Sequence, residues 1–552
     1  MKIMVLLAAF VIAITGMQCK KSDDAPATPT SFRFIGMTVN GTNAGFSIKG
    51  SGLNPEIKIT FSDAVKSSSI ASAVSFISAA SEAVAFNSNL ETENTVLVIA
   101  PANPLKGFTK FSINISDALV SDEDQPLSQP IAISLETAMD STDKFERISD
   151  EELLDLVQKQ TFKYFWDFGH PTSGLARERN TSGDIVTSGG SGFGIMAIVA
   201  AASREFITRQ EGLERMQKIV GFLKNTAETF HGAYPHWLNG STGEAVAFSD
   251  KDNGADLVET SFLLQGLLTA RQYFNGASAD ETTLRNDINT IWNGVEWDWF
   301  RNSGQEVLYW HWSPDFAWQM NMPIRGWNEC LITYVLAASS NSHAIPKSVY
   351  DNGWAQNGAM ANNATYYGIK LPLGPALGGP LFFSHYSFLG LDPHDLQDAY
   401  ANYWTQNTAH ALINYNYCVD NPRNHTGYSS SVWGLTASDN NTGYSAHAPD
   451  NDLGVISPTA ALSSFPYTPD HSMAALKFFY YKLGDKIWKE YGFVDAFNLD
   501  VQWFADSFLA IDQGPIIVMI ENYRSGLLWD LFMSCPEVKT GLTNLGFQSP
   551  HL

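Results

Sequence analysis

Residues 149–168 read SDEELLDLVQKQTFKYFWDF. Ser149 with Glu152 three positions on is the pattern of a capping box, in which each side chain takes the other residue's backbone N–H. Leu154, Val157, Thr161, Phe165 and Phe168 follow at helical spacing. One face of this helix is therefore apolar and needs a partner to bury it. Thr208-Arg209-Gln210-Glu211 opens another helix in the same way. Further helices are expected at 190–206, 256–274, 280–293, 327–339, 395–417, 470–484 and 514–533, separated by long loops rich in Gly, Pro, Asn and aromatics. So many helices without a clear strand run predict a helical toroid and not a βαβ fold. Loops longer than about fifteen residues are usually functional. Crowded at one end of a helical barrel, they would build a cleft.

Upstream of this region the composition changes. All 15 Trp lie at or after Trp166. Ile57–Ser62, Thr95–Ile99 and Phe111–Ile115 alternate with period two, as half-buried strands do. Turn-forming residues at short spacing divide them, which predicts a small β-sandwich over 31–140, ahead of a helical domain over 148–550. The string from Ile57 through Phe61-Ser62 to Leu105 and Phe111 resembles bacterial immunoglobulin-like domains, which implies a spacer or docking module. At the N-terminus, Lys2 precedes an apolar run, Ile3–Ile14, too short for the roughly twenty residues that span a bilayer. It has the size of a signal-peptide core, so 1–18 are read as a signal. Cys19 directly after it resembles a bacterial lipoprotein signal. That implies lipidation at Cys19, a tether over 19–30, and anchoring at the outer membrane.

The net charge is 34 − 57 = −23, and only 16% of residues are charged while 12% are aromatic. Nucleic-acid binding is excluded as a default, because phosphate binding needs a basic surface. Docking on anionic lipid by charge is excluded for the same reason. Few charges and many aromatics suit an extracytoplasmic protein that handles neutral polar ligands such as sugars. Cys330, Cys418 and Cys535 are far apart, with no CxxC pair. They read as buried thiols, not as a disulfide frame or a zinc site.

Several polar groups stand in positions that could do chemistry. Residues 174–194, GLARERNTSGDIVTSGGSGFG, place Glu178, Arg179 and Asp184 in a loop ahead of a small-residue helix. No GxxxxGK[ST] is present, so this is not a nucleotide loop. His236-Trp237 is followed by Asp250, Asp252, Asp256 and Glu259. Glu259 opens an otherwise apolar helix, where burial would raise its pKa and make it a general acid. It could equally be a dipole partner of the helix. Trp310-His311-Trp312 and Arg325-Gly326-Trp327-Asn328-Glu329 set aromatic faces beside polar groups, as sugar sites do. Ser384-His385 lacks a GxSxG elbow, and no HExxH occurs, which argues against serine and zinc hydrolases.

Several strings resemble the glucoamylase-like domain of bacterial β-1,2-glucanases, glycoside hydrolase family 144. They are FKYFWDF (162–168), SGFG (191–194), VETSFLLQGLL (258–268), GWNE (326–329), PLFFSHY (380–386), VWGLTASD (432–439), SPTAA (457–461), YGFVDAFN (491–498) and IDQGPIIVMIENYRSGLL (511–528). The resemblance implies an all-α (α/α)6 toroid, preceded here by the small all-β immunoglobulin-like sandwich. It implies hydrolysis of β-1,2-glucan with inversion, endo-acting or exo-acting with release of sophorose, by a monomer with no cofactor and no metal. It makes Glu259 the general acid and Asp184 the general base. Glu178, where relatives usually carry Asp, and Arg179 would organise the site. Trp237, Arg325, Trp327, Glu329, His385, Tyr386, Trp433, Asp512 and Gln513 are candidates for sugar contacts, with Asp512 also a candidate loop brace. The alternatives are a hydrolase of another glucan linkage and a non-catalytic glycan-binding lipoprotein.

Overall fold

Local signals fix the helix starts. In the computed structural model, which describes residues 31–552, helix α1 (Asp150–Trp166) opens on the capping box of Ser149 and Glu152. Ser149 Oγ accepts from the Glu152 N–H at 3.3 Å, and the Glu152 carboxylate accepts from the Ser149 N–H at 2.9 Å. Thr208 and Glu211 do the same for α3 (Arg209–Asn225). Each such cap contributes about 1 kcal/mol. The signal peptide, the tether and Cys19 lie outside the described residues.

Two compact units are present, one ending at Asp140 and the other running Ser141–Leu552. The first is a β-sandwich. One sheet has the order β2-β1-β4-β7-β6: β1 (Phe34–Val39), β2 (Thr42–Asn43), β4 (Ile57–Phe61), β6 (Phe86–Glu91) and β7 (Val96–Pro101). The other has the order β3-β9-β8-β5: β3 (Ser47–Ser51), β5 (Val74–Ser78), β8 (Lys110–Ile115) and β9 (Ile131–Thr137). The alternation in β4 puts Ile57, Ile59 and Phe61 inward, where they meet Ile113, Ile115, Ile133 and Leu135 of the facing sheet in one core.

The second unit is helical. Helices α2 (Ser188–Ser203), α4 (Leu257–Tyr273), α6 (Leu331–Ser339), α8 (Pro458–Leu462) and α10 (Ala510–Ser525) are buried over most of their length. A helix apolar all round belongs in the centre of a packed unit. The flanking helices α1, α3, α5 (Ala279–Asn293), α7 (Tyr403–Asp420), α9 (Pro469–Ile487) and α12 (Pro536–Leu545) each bury one side. Among the buried helices, α2 packs on α4 and α10, α4 on α6, and α8 on α10. No described helix is long and apolar enough to cross a membrane.

Two helices differ from expectation. The stretch 514–533 is not continuous: α10 stops at Ser525 and α11 (Leu527–Met533) restarts after Gly526, at φ 70°. Only glycine takes that left-handed turn without strain. Helix α7 starts at Tyr403 and not near 395, because Asn402 caps it through the Thr405 N–H. Cys330, Cys418 and Cys535 are free and buried.

Candidate active site

Three N-terminal helix ends, those of α2, α4 and α10, gather the polar groups. The loop from Arg177 leads into β10 (Ile185–Thr187), which pairs with β11 (Trp237–Asn239), and β11 in turn with β12 (Ala245–Val246). Thr187 stands opposite Trp237 and hands the chain to α2. The Gly189 N–H donates to Glu259 Oε2 at 2.8 Å, and the Thr187 hydroxyl donates at 3.3 Å. Asp256 caps α4, its Oδ1 accepting from the N–H groups of Val258 and Glu259 at 3.0 and 2.9 Å. Glu259 is thus held in the first helical turn with 7% of its surface exposed. Burial pushes its carboxyl above the usual range; His236 and the Gly189 N–H pull the other way without cancelling this. Glu329, nearby, is pushed up to about 7 by burial, with Glu259 and Asp256 acting in the same direction.

Beside Glu259 lies a second polar group. Strand β13 (Ala255–Asp256) pairs with β14 (His311–Trp312), so Asp256 and His311 stand opposite each other. His311 Nε2 lies 3.1 Å from Asp252 Oδ2 and 3.3 Å from Asp256 Oδ2. His236 Nδ1 lies 3.1 Å from Asp256 Oδ2, while its Nε2 is 3.9 Å from Glu259 Oε1. Burial lowers His236, but the carboxylates of Glu259, Asp256 and Asp252 outweigh it and raise the imidazole to about 9. For His311 the same balance with Asp252 and Asp256 gives about 10. Burial would raise Asp256, yet the two histidines hold it well below the usual carboxylate range. Among the described residues, His236, Asp252 and Asp256 form a group that could hold a metal ion. Phe248 stacks on His236 at 4.2 Å and meets Trp237 edge-on at 4.9 Å, while remaining 49% exposed. An exposed ring braced by two others suits stacking on a sugar face.

A third group surrounds Arg179. Its Nε donates to both carboxylate oxygens of Glu178 at 3.0 Å, and its Nη1 pairs with Asp439 Oδ2 at 3.1 Å. Asp439 also accepts from the Ser507 hydroxyl at 2.5 Å. Asp439 belongs to the hairpin β15 (Ala437–Asn440)–β16 (Gly443–Ala446), directly across from the exposed ring of Tyr444. The Asp439 N–H donates to Asp495 at 2.6 Å. Burial, and then the Asp439 charge, raise Asp495 to about 7. Burial and Asp495 raise Asp512 as well, so the two carboxyls titrate together as a pair that favours holding a proton. The loop is tied to α10 by the Ala510 N–H, which donates to the Glu178 carbonyl at 3.0 Å.

The sequence candidates therefore scatter. Glu259, Glu178, Arg179, Trp237 and Glu329 lie in or beside these groups. Asp184 sits on the same loop with its side chain 63% exposed, 3.2 Å from His170 Nε2. Trp327 is no sugar platform: it is 5% exposed among Trp354, Phe388 and Tyr403. Trp433 is fully buried and donates its indole N–H to the His471 carbonyl at 3.2 Å. His385 is 2% exposed, bound to Ser464 at 3.0 Å, and lowered by burial to about 3. Gln513 spends its amide N–H on the Phe493 carbonyl at 2.9 Å. These four hold the interior together, because an indole or imidazole beside polar neighbours reads alike in a core and in a cleft. Asp512 braces through Asp495, and Tyr386 is buried against Phe193, Phe262 and Phe382. Arg325 is exposed and donates to the Asn352 carbonyl at 3.1 Å.

Sequence reading missed Asp439, Asp495, Phe248 and Tyr444 as site residues. Asp439 and Asp495 close the strings VWGLTASD and YGFVD, so a search for lone carboxylates in apolar runs would have found them. Phe248 and Tyr444 carried no such signal.

The glucoamylase family model described as "Putative glucoamylase" matches residues 321–536, and the model for a bacterial Ig-like domain matches 36–137. The chain is 50% identical over 421 residues to an exo β-1,2-glucooligosaccharide sophorohydrolase (non-reducing end) of Parabacteroides distasonis, covering 72% of this chain. The matched region spans 58% of that relative's length. The solved endo-β-1,2-glucanase of Chitinophaga pinensis, a sophorotriose and glucose complex, is 54% identical, with a TM-score of 0.72 over 74% of this chain and 100% of that one. A β-1,2-glucanase structure from Parabacteroides distasonis is 40% identical, with a TM-score of 0.71 over 93% of this chain and 73% of that one.

Proposed function

This chain belongs to glycoside hydrolase family 144, the bacterial β-1,2-glucanases, and we propose that it hydrolyses β-1,2-linked glucan by an inverting general acid/base mechanism. The observation that carries the mechanism is Glu259, a buried carboxyl raised out of the usual range and aimed by the Gly189 N–H. Burial favours the protonated form of such a group, and the proton it holds can be delivered to a glycosidic oxygen. Asp184 is the general base, exposed where water reaches it. Glu178 has both oxygens on Arg179, which suits an organising role better than proton transfer. Phe248, Trp237 and Tyr444 supply exposed or half-buried rings for the sugars. The helical unit is an (α/α)6 toroid, supported by the succession of buried helices α10, α2, α4 and α6, each packed on the next. The protein works as a monomer. The Cys19 signal places it on the outer membrane by a lipid anchor.

Incubation with linear β-1,2-glucan, beside other glucan linkages, tests the activity. Chromatography should show a ladder of oligosaccharides for endo action or sophorose alone for exo action. The anomer released first, read by nuclear magnetic resonance, should be inverted. No product from the β-1,2 linkage would overturn the reading.

Asp439 is the other carboxylate at Arg179, held by that guanidinium and by the Ser507 hydroxyl, and its pairing makes it a weaker candidate base than the exposed Asp184. Asp184→Asn is expected to lower kcat by about 10²–10⁴ with little change in KM, and Asp439→Asn by less. The reverse order would move the base to Asp439. In an inverting site the base carboxyl should stand about 6.5–9.5 Å from the acid, with room for one water.

A further inference from the structure

Two buried carboxyls lie behind the Arg179 cluster, and neither has a part in the acid and base chemistry proposed above. Asp495 and Asp512 are each 2% exposed. Asp512 stands in the first turn of α10. The two side chains are hydrogen-bonded to each other. One oxygen of each, Asp495 Oδ1 and Asp512 Oδ2, is buried, and among the described residues no N–H or hydroxyl donates to it. A carboxylate can only accept, so a bond between two carboxyls needs a proton on one of them. Two such groups in contact and out of water do not both ionise. A proton held between them also satisfies the two oxygens, which burial would otherwise leave unpaired at a cost.

The pair is joined to the cleft by a closed circuit of contacts. Asp495 Oδ2 accepts from the Asp439 N–H at 2.6 Å. The Asp495 N–H donates to the Ser507 carbonyl at 3.0 Å, and the Ser507 hydroxyl donates to Asp439 Oδ2. Asp439 meets Arg179, Arg179 holds Glu178, and the Glu178 carbonyl accepts from Ala510, two residues before Asp512. The circuit therefore leaves α10 at Asp512 and returns to it at Ala510. The charged and titratable groups that face the pair are Asp439 on β15, Tyr444 on β16, Arg179 on the loop, and Tyr386. Arg179 is the cation of that set, and it already serves Glu178 and Asp439. Full ionisation of the pair would set two more negative charges against the same guanidinium.

We propose that Asp495 and Asp512 are positioning residues for glucan hydrolysis: they hold a proton between them, and that proton keeps the Asp439 hairpin and the Arg179 clamp in register with the cleft. The proposal rests on the hydrolytic reading given above. Neither carboxyl touches the sugar in this role. With the proton in place, Asp495 stays bonded to Asp512 on one side and to the Asp439 backbone on the other. Asp439 then keeps its side chain on Arg179, and Arg179 keeps Glu178. Tyr444, directly across the hairpin from Asp439, is held by the same register.

The test uses the whole chain and three variants at position 512. Infrared spectroscopy reads the proton directly, because the carbonyl stretch of a neutral carboxyl lies apart from the carboxylate bands. The parent at neutral pH should show a neutral carboxyl signal that Asp512→Asn removes. Asp512→Ala takes away the partner of Asp495 and should lower kcat on linear β-1,2-glucan by about 10²-fold, the cost of a small misplacement in a site. Asp512→Asn keeps the shape and offers an N–H where the shared proton was, so it should recover most of that loss. If the alanine variant does not fold, Asp512→Ser, which is too short to reach Asp495, takes its place. A purely structural pair would lower the unfolding midpoint and leave kcat per folded molecule unchanged. That outcome, an infrared signal that Asp512→Asn does not alter, or equal losses in the asparagine and the truncated variants would each overturn the proposal. The infrared readout needs no substrate. A parent that leaves β-1,2-glucan uncut would therefore sink the proposed activity while still showing whether the pair holds its proton.

Discussion

Glu259→Gln is expected to lower kcat on linear β-1,2-glucan by about 10²–10⁴, the range for loss of a general acid. KM should change little, because the amide keeps the shape and still accepts from the Gly189 N–H and the Thr187 hydroxyl. What is lost is an acidic proton. In the parent protein, activity should fall on the alkaline side as Glu259 deprotonates. That limb should lie above the ordinary carboxylate range, because burial raises the group. The same shift predicts a gain in stability. A carboxyl whose pKa is raised by folding contributes most below its unfolded value of about 4.3, and that contribution is lost as pH rises through the folded value. Glutamine never ionises, so urea unfolding at neutral pH should show the variant at least as stable as the parent. A dead variant that is also more stable is the signature of a group kept for chemistry. A fall in kcat of less than tenfold would remove Glu259 from the role of acid.

Local physics made much of this architecture legible. Ser149 with Glu152, and Thr208 with Glu211, are closed within three residues, and both capping boxes form. The alternation Ile57-Lys58-Ile59-Thr60-Phe61 needs no distant information to define a half-buried strand, and β4 has that burial pattern. Glu259 stood out as the lone carboxylate of an apolar helix. The break at Gly526 was not legible, since the apolar pattern continues through it and only the left-handed turn divides α10 from α11. Nor was the pairing of Arg179 with Asp439, 260 positions apart, because nothing local tells an arginine which carboxylate it will meet. Trp327 and Trp433 mark the limit from the other side: sequence shows that an indole is present, whereas burial decides whether its face is available.

The largest expected effect on stability comes from a methyl group at the junction of α2 and α4. In Gly192→Ala, the added Cβ would stand 2.1 Å from the Phe262 carbonyl oxygen and 2.6 Å from Leu263 Cα. Across the contact, a Cβ on Gly266 would meet the Gly192 carbonyl oxygen at 2.2 Å. The obstacles are backbone atoms of buried helices, so no rotamer change relieves them. Overpacking a core typically costs about 1–3 kcal/mol, occasionally more, and here about 3 kcal/mol or more is expected because the helices themselves must part. The movement would carry the start of α2 with it, and with that start the Gly189 N–H that holds Glu259, so activity should fall as well. Gly221→Ala in α3 is the matched control. Nothing lies within 4 Å of its added Cβ, so the helix preference of alanine should stabilise the chain by up to about 1 kcal/mol. Intrinsic tryptophan fluorescence is the right probe, since all 15 Trp lie at or after Trp166 and report on the helical unit alone. Opposite shifts of the unfolding midpoint would show that α2 and α4 approach closely enough to exclude a side chain. If Gly192→Ala left the midpoint unchanged, that close approach would be wrong, and so would the route by which α2 aims the acid.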